Sequence, residues 1–342
     1  MSEIRHTDIA ALRVGCAVLG SGGGGDVEAA ALLLDQTLNR RPVPLISPGD
    51  LPPDAPCALV GAVGSPTVMV ERIPSEAEFV RAVRSVERYL DQPLAAVAAL
   101  EIGGVNGILG INTAAHLGLP LLDADAMGRA LPRLDQLVTF GSTPLTPLAL
   151  AQPTRGVILL DDVADESVEH AVRAVLPALG TWAAVCLQPN TASGMRRHAV
   201  QGSVSRALTI GAALIDHSTG AVGAEELAER CGLKTLWRGV VAEAPRRYPD
   251  YEVGTITMID QASDETARVD FAQEYVAAMV DGELLAGSPD IVVLLDERSR
   301  YPVAVDRVRI GQRLRIATLA APPELVAAAP RLGVVTIDGG IS

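Results

Sequence analysis

Three carboxylates follow two neighbouring strands of a predicted sheet. Glu101 stands near the end of the apolar run 94–102, and Asp123 and Asp125 follow the apolar run 119–122. The segment between the two runs is predicted to be a helix. A strand, helix and strand of this length close as parallel neighbours with a right-handed crossover. Adjacent parallel strands lie ~4.8 Å apart, so we expect the three carboxylates around one cleft.

Carboxylates that lie close together are suited to acid and base chemistry. Like charges cannot all ionise without cost, so at least one of these carboxyls is expected to have a raised pKa and to act as an acid at neutral pH. The same oxygens could hold a divalent metal, whose presence and identity the sequence leaves open. Asn106 and Arg129 are candidate ligand-binding residues beside them. In the alternative interpretation, Asp123 and Asp125 are locally capped turn residues and Arg129 is their surface counterion.

A glycine-rich segment, 20–26, reads GSGGGGD between two predicted helices. It follows a helix and contains no lysine, which disfavours a dinucleotide-binding or Walker loop. Its backbone amides lead into a helix capped by Asp26 and could bind a carbonyl, a carboxylate or a ring. The candidate binding residues are Gly22, Gly23, Gly24, Gly25 and Asp26. Turn geometry alone is the alternative interpretation.

A second loop follows the apolar strand predicted over 57–63. The segment 59–67 reads LVGAVGSPT and passes two glycines before it reaches Ser65 and Thr67. Open α/β sheets bind ligands at the carboxyl ends of their strands, so Ser65 and Thr67 are candidate binding residues. An ordinary turn between strand and loop explains the same residues equally well.

The 342 residues indicate two domains. Residues 1–165 are predicted to form an α/β domain with a mainly parallel sheet, which carries the glycine-rich segment and the carboxylates. Residues 166–342 are predicted to form a second domain, with helices first and a β-rich, barrel-like part from about residue 233. One of its predicted strands is 267–275, and Asp281-Gly282 between apolar runs predicts a tight hairpin.

Charge and composition restrict the partners of the chain. The net charge is −13 and aromatic residues make up 3% of the sequence, which opposes binding to nucleic acid or to an anionic membrane. No apolar run reaches the ~18 to 20 residues of a membrane-spanning helix, and residues 1–15 do not form a signal peptide. The four cysteines are scattered, as in reduced proteins. We therefore expect a cytoplasmic protein that acts on a small molecule.

Short motifs along the chain resemble those of a known family. The family is DUF917, also called the S-methyl thiohydantoin desulfurase family and labelled hydantoinase/oxoprolinase-associated. The motifs are LGSGGGGD (19–26), VGAVGSPTV (60–68), EIGGVNG (101–107) and LLDADAMGRALP (121–132), with further similar segments at 201–211, 271–296 and 310–323. The resemblance implies an N-terminal α/β domain, a C-terminal β-rich domain and chemistry on hydantoin-like rings. In that chemistry, water attacks the ring carbon that bears an S-methyl group, and methanethiol leaves.

We therefore expect a hydrolase for a small cyclic, hydantoin-like or S-alkyl thiohydantoin substrate. Glu101 or Asp123 is expected to activate water, and the other carboxylate or Asp125 to protonate a ring nitrogen or the departing thiol. Asn106 and the amides of residues 22–25 are expected to bind the ring carbonyls. The alternative function is that of a non-catalytic partner of a hydantoinase or oxoprolinase enzyme. A homo-oligomer is also compatible with the sequence.

Overall fold

The computed structural model describes residues 2–154, 156–244 and 253–334, which form two sheets and the helices around them. The first sheet has nine strands in the order β1-β2-β5-β4-β3-β8-β6-β7, with β9 paired to β5. These strands are β1 (Ser2–Ile4), β2 (Val43–Ile46), β3 (Pro56–Gly64), β4 (Ala96–Ala99), β5 (Leu121–Asp125), β6 (Leu148–Ala151), β7 (Val157–Leu160), β8 (Trp182–Thr191) and β9 (Val200–Gln201).

The four central strands of the first sheet, β2, β5, β4 and β3, are parallel, and the flanking strands pair antiparallel. The helices are α1 (Ile9–Leu19), α2 (Val27–Leu38), α3 (Pro66–Glu71), α4 (Glu76–Leu90), α5 (Val105–Leu117), α6 (Asp165–Val175), α7 (Ala192–His198), α8 (Ser203–Thr219), α9 (Ala224–Cys231) and α10 (Pro323–Ala328). Buried apolar clusters cover both faces of the sheet. The prediction of an α/β fold with a parallel centre is confirmed.

Local sequence explains where the main helices begin. Asp26 caps α2 by accepting a hydrogen bond from the Glu28 N–H. Ser75 and Glu78 form a capping box at the start of α4, as their spacing predicts. Helix α1 begins at Ile9, with Asp8 before it. Residues 6–8 form a short 3₁₀ turn before it.

The second sheet has seven antiparallel strands in the order β14-β13-β12-β11-β10-β16-β15. They are β10 (Lys234–Glu243), β11 (Val253–Ile259), β12 (Thr266–Ala272), β13 (Glu274–Val280), β14 (Glu283–Gly287), β15 (Ile291–Asp296) and β16 (Arg313–Leu319). Alternate side chains face a shared apolar core, and the edge strands β14 and β15 contact each other. This curved sheet confirms the β-rich, barrel-like second half.

The segment 267–275 was predicted as one strand but forms parts of two. Gln273 has a φ of 71° and separates β12 from β13. A left-handed backbone at a residue other than glycine turns the chain sharply, so the following residues leave the line of β12. The Tyr275 N–H then donates to the Ser21 carbonyl at 2.7 Å, which joins the second sheet to the glycine-rich segment. The predicted hairpin at Asp281-Gly282 is confirmed, with both residues at positive φ.

Several elements beyond residue 165 belong to the first sheet. Strands β8 and β9 pair within it, and α8 packs along α1. The predicted division at residue 165 therefore falls between elements that share one sheet, and the domain bounds stay a prediction. The predicted second domain also includes positions 245–252 and 335–342, which lie outside the described residues.

Across the residues that the structure describes, every helix is too short or too polar to cross a bilayer.

Candidate functional site

Glu101 lies in the loop after β4 and is 7% exposed. Its Oε1 accepts a hydrogen bond from Asn106 Nδ2 at 2.7 Å, and its Oε2 accepts one from the Leu131 N–H at 3.1 Å. Burial raises the pKa of this carboxyl to about 8, against the lowering effect of the two hydrogen bonds. Glu101 is therefore mainly protonated at neutral pH and can act as a proton donor.

Asn106, in the first turn of α5, holds Glu101 in place. Its Oδ1 accepts a hydrogen bond from the Ala62 N–H at 2.6 Å, and its Nδ2 donates to the Ala62 carbonyl at 3.1 Å as well as to Glu101. The amide is thus engaged by β3 and by the carboxyl. This geometry makes Asn106 a positioning residue for Glu101, while its predicted contact with a ring carbonyl stays a prediction.

Asp125, at the end of β5, ties two loops together. Its Oδ2 accepts hydrogen bonds from the N–H groups of Ile102, Met127 and Gly128 at 2.9, 3.1 and 2.7 Å. Its Oδ1 is buried without a well-formed hydrogen bond, and the Ser203 hydroxyl is its polar neighbour. Burial raises the pKa of Asp125 to about 6. The parallel pairing of β4 and β5 brings Asp125 close to the Glu101 loop, as the spacing predicts.

Asp123 is part of β5, and its side chain contacts the first turn of α8, so its environment differs from that of Glu101. Its Oδ1 accepts hydrogen bonds from the Val204 and Ser205 N–H groups at 2.9 and 3.0 Å, and its Oδ2 accepts one from the Ser205 hydroxyl. It also lines a polar cavity of about 400 Å³ together with Asp50 and Gln201. The first turn of a helix needs acceptors for its free N–H groups, and Asp123 supplies them. The structure therefore does not place Asp123 beside Glu101.

Glu274, the first residue of β13, is an acidic group of the site that sequence reasoning missed. It is 7% exposed, and burial raises the pKa of its carboxyl to about 7, against the opposite effect of Arg129. Its charge also raises the pKa of Glu101, which places the two carboxyls near each other. The available signal was a glutamate near the end of the predicted strand 267–275.

Arg129 is 2% exposed and links the two sheets. Its Nε donates to the Ala130 carbonyl at 3.2 Å, and its Nη1 donates to the carbonyls of Pro289 and Asp290 at 3.2 and 2.9 Å. Burial lowers its pKa, while Glu274, Asp290 and Glu101 act in the opposite direction. Arg129 is therefore an interior cation among carboxyls and not a surface counterion.

The glycine-rich segment lies between these groups. A Cβ on Gly22 would come within 2.4 Å of the Tyr275 ring, and one on Gly23 would lie 2.7 Å from Glu274 Cγ. A Cβ on Gly24 would lie 2.9 Å from the Gly104 Cα. Close approach thus requires glycine at all three positions. The N–H groups of Gly24 and Gly25 have no hydrogen-bond acceptor among the described residues, so they remain available to a ligand.

The remaining predicted binding residues surround this segment. Asp26 caps α2, and its carboxylate lies 3.6 Å from the Arg307 guanidinium. Ser65 caps α3 by accepting a hydrogen bond from the Val68 N–H at 3.4 Å, and Thr67 is exposed in the first turn of that helix. Pro66, between them, adjoins Gly25. Ligand binding by these residues stays a prediction.

Within the described ranges, no group of three or more His, Cys, Asp or Glu side chains has a geometry that could hold a metal ion.

Comparisons with known proteins agree with this architecture. The model of the S-Me-THD-like N-terminal domain matches residues 7–162, and that of the S-Me-THD-like C-terminal domain matches residues 163–334. A crystal structure of a protein from Chromobacterium violaceum has 22% sequence identity and a TM-score of 0.76, and the alignment covers 97% of each chain. At this identity the likeness shows the fold alone. A search among curated proteins returned no match.

Proposed function

The chain belongs to the S-Me-THD-like family, and we propose that it hydrolyses a small five-membered ring of the S-alkyl thiohydantoin class with release of a thiol. The observation that carries the proposal is the environment of Glu101. This buried carboxyl has a pKa of about 8, is oriented by Asn106 and shares its loop with Gly103 and Gly104, which contact Gly24 of the glycine-rich segment. It is a proton donor at neutral pH in a site with little water.

The proposed reaction begins at the ring carbon that bears the S-alkyl group. Water adds to this carbon, and the carbon–nitrogen double bond becomes a single bond as the ring nitrogen takes a proton. The carbon–sulfur bond then breaks, and the hydroxyl on the same carbon loses its proton and becomes a carbonyl. Water and the S-alkyl ring are thus converted to the ring carbonyl compound and a thiol, with no oxidant or reductant required.

Glu101 supplies the proton transfers in this scheme. Its carboxylic acid protonates the ring nitrogen, and the carboxylate formed takes a proton from the attacking water. The same group then protonates the departing sulfur and accepts the hydroxyl proton, so Glu101 ends in its starting form. General acid–base catalysis of this kind contributes roughly 10² to 10⁴ in rate. The N–H groups of Gly24 and Gly25 are suited to stabilise a ring carbonyl oxygen as negative charge develops there.

The close packing of the site has a consequence for access. Gly22 and Gly23 contact Tyr275 and Glu274 of the second sheet, and Glu101 is 7% exposed. We infer that a five-membered ring reaches Glu101 when residues 273–275 and the glycine-rich segment separate. We therefore expect substrate binding to change the contact between the two sheets.

The test is thiol release from an S-methyl thiohydantoin by the purified full chain, followed with a chromogenic thiol reagent. Stoichiometric thiol together with the hydantoin product supports the proposal. No turnover of any hydantoin-type ring would contradict it. Co-purification with a hydantoinase or oxoprolinase enzyme, without turnover by the isolated chain, would favour the role of a non-catalytic partner.

A further inference from the structure

We propose that Arg129 and Glu274 together bind one edge of the substrate ring, an N–H next to a carbonyl. The guanidinium donates to the carbonyl oxygen and the carboxylate accepts from the N–H. This assigns a recognition role to both halves of the chain, because Arg129 follows β5 of the first sheet and Glu274 begins β13 of the second. The inference rests on the proposed function for the identity of the ring.

Arg129 offers one donor nitrogen to this edge. Its Nε and Nη1 are engaged by three backbone carbonyls, those of Ala130, Pro289 and Asp290. Its Nη2 has no hydrogen-bond partner among the described residues. A guanidinium that is 98% buried holds its charge at a large desolvation cost, so an unengaged nitrogen there is a strong binding group. The three carbonyls fix its direction and leave it little freedom to turn away.

Glu274 offers the matching acceptor. Glu274 is 93% buried, and within the described part of the chain no side chain and no N–H of another residue donates a hydrogen bond to its carboxylate. Gly23 lies directly against its Cγ and Oε1, where a Cβ would come within 2.7 and 2.9 Å. The positive φ of Gln273 directs β13 toward this position. A buried carboxylate without side-chain or neighbouring backbone donors is incompletely satisfied until a ligand donates to it.

The two groups interact electrostatically without forming a direct ion pair. Arg129 lowers the pKa of Glu274, although the two side chains form no ion pair. Both adjoin the glycine-rich segment, because Gly23 contacts Glu274 and Gly24 contacts Ala130, the residue after Arg129. The two groups match a ligand that accepts a hydrogen bond from one and donates a hydrogen bond to the other. A cis-amide edge, in which the N–H and the carbonyl point the same way, has this pattern and occurs in hydantoins, imides and lactams. A ligand with a carboxylate on its ring would instead place that carboxylate next to Glu274 and Glu101, so the binding of such a ligand is disfavoured.

The experiment measures ring binding without turnover. Hydantoin and 1,3-dimethylhydantoin differ only in the two N–H groups, and their affinities for the full chain can be compared by calorimetry or ligand-observed NMR. We expect dimethylation to weaken binding to the wild-type chain about 10-fold or more, the loss typical of a hydrogen bond to a charged group. In Glu274→Ala the two ligands should bind with nearly equal affinity, because the acceptor of the N–H is gone.

Two further variants separate recognition from folding. Glu283→Ala removes an exposed glutamate of β14 in the same sheet and should keep the wild-type discrimination. Glu274→Gln keeps the side-chain size and one acceptor oxygen and should discriminate partly, which guards against misfolding of Glu274→Ala. Equal binding of both ligands by the wild-type chain, or full discrimination by Glu274→Ala, would overturn the inference. Glu274-dependent discrimination without any thiol release would keep the edge-binding site and remove the proposed hydrolysis.

Discussion

Two acidic regions lie near the end of β5 and differ in what surrounds their oxygens. Asp123 borders solvent, and both of its oxygens accept hydrogen bonds from the first turn of α8. Glu101 and Glu274 are buried, and their carboxyls have pKa values raised to about 8 and about 7. A carboxylate whose oxygens are all engaged by N–H and O–H donors thus acts as a helix cap, whereas a buried carboxyl with fewer donors remains available for chemistry.

Asp125 shows that burial alone does not make this distinction. It is fully buried, yet three N–H groups converge on its Oδ2, and its pKa is raised only to about 6. Its position fixes the backbone next to Glu101, because one of the three donors is Ile102. Spacing in the sequence places carboxylates at one edge of a sheet. The N–H donors near each carboxylate then determine whether it has a structural or a chemical role.

The largest expected effect is on the chemical step. Glu101→Gln keeps the size of the side chain and removes the proton that Glu101 transfers. Single-turnover thiol release should fall by about 10² or more. Glu283→Gln is the matched control and should retain the wild-type rate. A wild-type rate in Glu101→Gln would show that Glu101, like Asp123, has a structural role only. The two acidic regions would then not differ in function.

The next effect compares two neighbouring glycines. Gly24 has a φ of 75° and would bring a Cβ 2.9 Å from the backbone of Gly104, so Gly24→Ala should destabilise the fold by about 1 to 3 kcal/mol. In Gly23→Ala, the added methyl group contacts the movable Glu274 side chain. This variant should lose less stability than Gly24→Ala but more ligand affinity. Urea denaturation and hydantoin titration measure the two quantities. The reverse order would show that Gly23 supports the fold and Gly24 the ligand.

Parts of this arrangement could be predicted from the sequence. The strand β4, helix α5 and strand β5 have clear apolar patterns, and their parallel pairing puts Glu101 and Asp125 at one edge. Asp26 as the cap of α2 also follows from residue type and position. Each of these features depends on contacts that are local or arise within one supersecondary unit.

The remaining parts depend on contacts between distant segments. Asp123 accepts hydrogen bonds from α8, which begins about 80 positions later, and the sequence of its own strand β5 does not predict this contact. Glu274 reaches the site because Gln273 adopts a positive φ, a conformation that glutamine rarely takes and that residue type does not predict. The location of Arg129 in the interior likewise depends on carbonyls of Pro289 and Asp290 from the second sheet.

A smaller effect tests Asp123 itself. Asp123→Ala removes the acceptors of two N–H groups in α8 and should lower the free energy of unfolding by about 1 to 2 kcal/mol. Thiol release per folded molecule should change little if Asp123 acts only as a cap. A loss of about 10² in rate with unchanged stability would restore Asp123 to its predicted role as the group that activates water.

The last effect is the change of stability per pH unit. The pKa of Glu101 is raised from 4.5 to about 8 in the folded chain, so the folded state binds more protons than the unfolded state between these values. Stability therefore decreases as pH rises through this window, by on the order of 1 kcal/mol per pH unit from Glu101 alone. Glu101→Gln should reduce this slope, to which Asp125 and Glu274 also contribute.

The slope of stability against pH is the quantity to compare, and not stability at one pH. Glutamine in Glu101→Gln would turn an NH₂ group toward either the Leu131 N–H or Asn106 Nδ2, so one of those hydrogen bonds is lost and the absolute stability shifts for a second reason. Denaturation in urea at several values between pH 5 and 8 separates the two effects. An equal slope in the wild-type chain and Glu101→Gln would mean that Glu101 is ionised in the folded state. It could then not donate a proton at neutral pH.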